Sequence, residues 1–190
     1  MGILKSESFL NDYRDVQHKE EFCIIDVLKS LVAVMVALGI YIVVSFFYPM
    51  LAGGAAYGHS PSKITAEALK LADLKKDEVF YDLGCGTGDA LIEASKLCDH
   101  VKGIEIEPIR WFTAKLRARK AQVILGNLFK QDISDADVIF IFQYKGKINA
   151  RIAEKIKADT RTGTRIVSYY WPIENTKLFK SQNEIFVYRT

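Results

Sequence analysis

The chain has 190 residues, with 26 Lys and Arg against 23 Asp and Glu, a net charge of +3 and a pI near 8.6. That length holds one domain with a core plus an appendage, and the charge is too mild to argue for nucleic acid, whose phosphates call for a concentrated basic face. Three scattered cysteines (Cys23, Cys85 and Cys98) form no CxxC pair, which argues against a disulfide framework and against a metal site, and fits a reducing compartment.

Residues 1–29 carry six acidic and four basic side chains and no legible motif, although 20–30 read as a short amphipathic helix. From Ser30 to Gly58 there is no Asp, Glu, Lys or Arg. About 20 such residues at about 1.5 Å each cross a hydrocarbon core. The run is apolar on every face, unlike a surface helix, and Tyr41, Tyr48, Phe46 and Phe47 lie toward its C-terminal half, where an interfacial belt would sit. The preceding flank is too long and too acidic for a signal-peptide n-region. We therefore expect a flank over 1–29, one N-terminal transmembrane helix over 30–51, a linker over 52–60 and a globular domain over 61–190.

The domain should open on a helix capped by Ser60 with Pro61 at its first position. Strands follow over 77–84, 100–106, 122–127, 136–144 and 163–171, separated by helices over 89–99, 107–121 and 147–159, the second of these opened by Pro108. A final strand over 184–190 follows the fifth with no helix between them. Strands alternating with helices predict an α/β, Rossmann-like, doubly wound and mostly parallel sheet with an antiparallel last strand. Ligands bind such sheets beyond the C-terminal strand ends, where the strand order reverses.

The segment "VFYDLGCGTGDA" lies at that place. Gly84, Gly86 and Gly88 alternate after Asp82, and glycine allows positive φ and close approach to the backbone. The dinucleotide pattern G-x-G-x-x-G would put its third glycine where Asp89 stands, a poor neighbour for pyrophosphate, and a Walker lysine is missing from the loop. An acidic loop suits a ligand with an ammonium and a sulfonium, so the expected cofactor is S-adenosyl-L-methionine, with the glycines clearing a path for its methionine and sulfonium portion. Asp82 would sit near the amino group. Glu105, ending the second strand about 20 residues on, would accept the ribose hydroxyls. Asn127, ending the third, would bond the adenine edge, with Leu128 or Phe129 against its face.

These residues resemble the class I S-adenosylmethionine-dependent methyltransferases: "YDLGCGTGD" is similar to their first motif and "GIEIEP" to their second. The resemblance implies cofactor contacts at Asp82, Gly84, Cys85, Gly86, Gly88, Glu105, Ile106, Asn127 and Leu128. "YGHSP", "GNLF" and "GTRIVSYYWPI" are further similar to a small protein lysine methyltransferase family. It includes archaeal broad-specificity enzymes and the membrane-anchored lysine methyltransferases of the ATP synthase c subunit. In the entry motif Gly58 and His59 separate Tyr57 from Pro61, and the fifth strand ends in Tyr169, Tyr170 and Trp171 where relatives often carry His and an acid.

The resemblance implies methyl transfer to a lysine ε-amine of a protein, with a membrane protein as one such acceptor, and with no nucleic acid and no metal. A lysine must first lose its proton, and aromatic walls that bury it favour the neutral amine. Tyr57, Tyr144 and Tyr169 are the expected catalytic-site residues, with Tyr170 and Trp171 as further wall candidates. The alternative acceptor is a lipid or quinone-like molecule at the bilayer. An intracellular cofactor puts the domain on the cytosolic or mitochondrial matrix side of a single span.

Overall fold

The computed structural model describes residues 24–45, 47, 61–143, 146–173 and 176–190. The chain divides into two units, Met1–Ser45 and Phe46–Thr190. In the first, helix α1 runs Ile24–Ser45 with a mean hydropathy of 2.5 and none of its most apolar stretch buried. It begins before the expected Ser30, and by length and composition it suffices to cross a membrane. The expected linker and flank over residues 52–60 and 1–23 lie outside the described residues.

The second unit is built on a seven-stranded sheet. In chain order its elements are α2 (Ser62–Leu71), β1 (Val79–Leu83), α3 (Asp89–Ala94), β2 (His100–Glu105), α4 (Pro108–Arg117), β3 (Gln122–Leu125), a single 3-10 turn (Leu128–Lys130), β4 (Val138–Ile141), α5 (Lys147–Asp159), β5 (Arg165–Tyr169), β6 (Leu178–Gln182) and β7 (Ile185–Arg189). The strand order is β3-β2-β1-β4-β5-β7-β6, parallel from β3 through β5 and antiparallel at β7 and β6. The order reverses between β1 and β4. Their C-terminal ends therefore border the crevice that such sheets leave open.

β4 reads Val-Ile-Phe-Ile and is buried at all four residues, because a central parallel strand has a helix layer on each face. On one face Phe80 and Phe140 pack with Leu69, Leu91 and Ala114. On the other Leu83, Ile139 and Ile141 pack with Ile152 and Ile156, one helical turn apart on α5. Truncating any of these large aliphatics to Ala would cost roughly 2–5 kcal/mol.

Four details depart from expectation. Pro61 is the residue before α2, at ψ 134°, and its carbonyl accepts from the Thr65 N–H; Ser60 lies outside the described residues. α3 is short: the Ser95 hydroxyl donates to the Leu91 carbonyl and i→i+3 turns follow through Leu97. The single 3-10 turn follows Asn127, which accepts from the Phe129 N–H at 2.9 Å. Strand β6 has no counterpart in the sequence reading, since all five of its residues are exposed and nothing alternates. It is held by a two-residue hairpin in which Asn183 and Glu184 both take positive φ, +48° and +60°. Glu67 on α2 accepts from the side-chain amides of Gln182 and Asn183, tying that hairpin down.

Candidate active site

The loop after β1 is set by its own hydrogen bonds. The N–H groups of Gly84 and Cys85 both donate to the Ile104 carbonyl, Gly86 N–H donates to Glu105 Oε2 at 2.8 Å, and Gly88 N–H donates to the Cys85 carbonyl. A phosphate-binding loop keeps such donors free and pointed at the anion. Here four of them are consumed internally, and what remains around the loop is acidic. That selects a cationic ligand over a pyrophosphate, on chemistry the residues themselves supply.

Glu105 is 5% exposed and accepts from three N–H groups, those of Gly86, Ile106 and Glu107. These fill most of the roughly four lone-pair sites of a carboxylate. Ile106 thus contributes its backbone to fixing Glu105. Asp82 is equally buried, and its carboxyl is pushed up to about 8, first by loss of water and then by the charges of Glu105 and Asp89. A buried carboxyl in that state gains most from an arriving cation. Asp89 itself faces Arg117 of α4, which also donates to the Thr87 carbonyl, so α4 clamps the far end of the loop.

Two of the three glycines have reasons other than ligand clearance. Gly84, at φ +96°, would bring a Cβ within 3.0 Å of Gln143 Nε2, and Gly88, at φ +88°, would bring one within 3.2 Å of the Ala114 backbone. Left-handed φ and these contacts with Gln143 and α4 favour glycine at both, beside any role in clearing a path for the cofactor. Cys85 is also turned inward. Its thiol and Leu91 fill the space a Cβ on Gly103 would need, and burial raises its pKa well above the ordinary thiol value. Only its backbone faces the loop's chemistry.

Across the switch point, Gln143 follows β4. Its Oε1 is buried with no hydrogen-bond partner among the described residues, and its carbonyl is pinned by the amide of buried Asn149 on α5 at 3.3 Å. An orphaned buried acceptor is rare and costs about 1–3 kcal/mol unless a ligand meets it. Gln143 was not among the expected site residues; the sole sequence signal was its place after the fourth strand.

Phe142, the residue before Gln143, begins a row of rings. Phe142 and Tyr169 lie 5.1 Å apart between centroids, Tyr169 and Tyr170 6.2 Å, and Tyr170 and Trp171 4.7 Å at 81°. Tyr170 has φ +63°, and the Trp171 N–H donates to the Tyr169 carbonyl, a strained γ-turn. The Tyr170 N–H donates to Glu184 O at 2.7 Å, and the Ser168 hydroxyl donates to Trp171 O, so the turn is held from both sides. Strained non-glycine residues persist where surrounding bonds over-determine them. Of the expected catalytic residues, Tyr169 joins this row, while Tyr57 and Tyr144 lie outside the described residues.

Comparison with known proteins agrees with this geometry. Residues 82–180 match the ANTKMT methyltransferase domain. A protein-lysine N-methyltransferase of Saccharolobus islandicus is 34% identical over 125 residues, 62% of this chain and 77% of that one. The structure of a Salinibacter ruber RNA methyltransferase with S-adenosyl-L-homocysteine superposes with a TM-score of 0.63 at 26% identity, covering 70% of this chain and 92% of that one. A precorrin 8W decarboxylase of Methanobacterium thermoautotrophicum shares the fold, with a TM-score of 0.53 at 22% identity over 62% of this chain and 67% of its own. The sheet order and acidic switch-point site are those of a class I S-adenosylmethionine-dependent methyltransferase. The chain belongs to the ANTKMT methyltransferase domain family, and its cofactor is S-adenosyl-L-methionine.

Proposed function

We propose that the protein is a membrane-anchored protein-lysine N-methyltransferase. The observation that carries this is the orphaned Gln143 amide oxygen, on a side chain that reaches the Gly84 loop after a strand whose carboxyl favours a cation. A hydrogen-bond acceptor suits an amine nucleophile, and the row of rings from Phe142 to Trp171 offers faces that attract the nitrogen once methylated. The name of the Saccharolobus relative supports the same acceptor. Helix α1 supports the anchor, which would concentrate the enzyme near membrane proteins.

In this reading S-adenosyl-L-methionine supplies an electrophilic methyl group on sulfur. Asp82 holds the ammonium end, and Glu105, with Ile106 and the Gly84–Gly88 loop, fixes the ribose end. Asn127 shapes the loop against which Leu128 closes the adenine end. Gln143 accepts an N–H of the lysine amine and aims its lone pair, and Tyr169, with Tyr57 and Tyr144, excludes water so that the amine arrives neutral. The amine proton leaves to solvent, and alignment supplies most of the acceleration.

The test is transfer of tritiated methyl groups from labelled cofactor into membranes containing the full chain. Label should enter protein bands and appear as methyl-lysine after hydrolysis. Label confined to the lipid extract would instead establish the lipid or quinone-like acceptor.

A further inference from the structure

Helix α4 is built the wrong way round for a surface helix. At 100° per residue, Ala114 and the capping residue Ala118 face the core, and the opposite side should be polar. Instead Ile109, Phe112 and Leu116 occupy that outer side within an arc of about 60°. They are 47%, 53% and 54% exposed. The helix and the turn after it carry five basic residues and no acid between Pro108 and Gln122. Two of the five are engaged inward, Arg110 with Glu107 and Arg117 with Asp89. Lys115 lies on the flank of the apolar stripe over the Trp111 ring, and Arg119 and the exposed Lys120 follow at the helix end.

We propose that α4 docks on an anionic membrane surface, with Ile109, Phe112 and Leu116 entering the interface and Lys115, Arg119 and Lys120 meeting lipid headgroups. An apolar stripe edged by cations, on a helix of low overall hydrophobicity, is what lies in the plane of a charged bilayer. Charge decides against the two other occupants. A second copy of the same face would bring Lys115, Arg119 and Lys120 against the same three cations. A protein groove would not require the complete absence of acids from the helix and its exit. The contact would also restrain the domain from a second point, independent of α1 and of the methyl acceptor. Because Arg117 of the same helix clamps the glycine loop, seating α4 bears on the cofactor site directly.

The experiment uses the full chain made by cell-free synthesis in the presence of vesicles of phosphatidylcholine, alone or with phosphatidylglycerol. Cys23 is replaced by Ser, and a polarity-sensitive fluorophore is attached at Thr113→Cys, beside an intact stripe. The comparison label sits at Lys157→Cys on α5, the other face of the sheet. Binding of S-adenosyl-L-homocysteine confirms that each variant is folded. The Thr113 label should shift to the blue and be quenched by nitroxide-bearing lipid in the anionic vesicles alone, and the Lys157 label should do neither. Each of Lys115→Gln, Arg119→Gln and Lys120→Gln should lower the docked-to-free ratio roughly fivefold, and Phe112→Ser with Leu116→Ser should abolish docking. The proposal falls if the Thr113 label reads alike in both vesicles, or if it becomes shielded without lipid as the chain self-associates. Carbonate extraction of the same vesicles reports on α1 separately: release of the chain would remove the anchor, while the fluorophore still reports on α4.

Discussion

Loss of water, and then the charge of Glu105 at the end of β2, push the Asp82 carboxyl on the neighbouring strand β1 up to about 8, so without a ligand it keeps a proton at neutral pH. An arriving ammonium and sulfonium favour the ionised form, so binding must expel that proton. Affinity for S-adenosyl-L-methionine should therefore rise with pH between about 6 and 8 and level off above. Titration calorimetry in buffers of different ionisation enthalpy should register up to one proton released near pH 7. Affinity that is flat across this window, with no proton release, would mean that Asp82 is already ionised.

The same shift has a consequence for stability. A folded pKa above the unfolded value of 3.8 means the native state binds more protons between those two values, so stability falls as pH rises from about 4 to 8. Asp82→Asn removes that loss. We expect the ligand-free variant to be more stable than the parent at pH 8 by roughly 1–3 kcal/mol, while its cofactor affinity drops at least about tenfold through the lost charge. Denaturant melts at pH 5 and pH 8, set beside binding isotherms, decide it: equal stability of the two proteins at pH 8 refutes the burial argument.

Gly84→Ala and Gly88→Ala should behave differently although both sites have positive φ. At Gly88 the new methyl meets the Ala114 backbone, which cannot yield, and we expect a loss of roughly 2–3 kcal/mol. At Gly84 it meets the end of the Gln143 side chain, which can swing away. The thermal midpoint should fall less there, and methyl transfer should fall more than cofactor binding does. If the two variants lose stability equally, the backbone contact at Ala114 is not the deciding one.

Gln143→Leu keeps the side chain's volume and deletes the orphaned acceptor. Removing an unsatisfied buried oxygen should leave the fold as stable or slightly more so. Methyl transfer to lysine should drop about 10- to 100-fold, in line with one hydrogen bond made to the nucleophile. Binding of S-adenosyl-L-homocysteine should stay within about twofold. A parallel fall in both quantities would assign the amide to the cofactor.

Much of this was open to reading in the chain. Asp82, the glycines and Glu105 announced themselves because left-handed turns and a buried carboxylate at a strand end leave few substitutes, and Pro108 marked the start of α4. β6 stayed hidden because an exposed edge strand needs no alternation. Asn127, expected at the adenine edge, also caps the turn at Phe129 through its amide oxygen, a contact that a strand-end position alone did not announce.

By itself the sequence determined the order of strands and helices apart from β6, the apolar helix near the N-terminus and the acidic glycine loop, since periodicity and backbone sterics are local properties. Only the tertiary structure decided what closes around that loop. Gln143, Arg117 and Ala114 meet it from up to about sixty residues away in sequence, and burial of Asp82 depends on all the layers at once. The outward apolar stripe of α4 became visible in the same way, because which side of an amphipathic helix faces the core is settled by its neighbours and not by its own pattern.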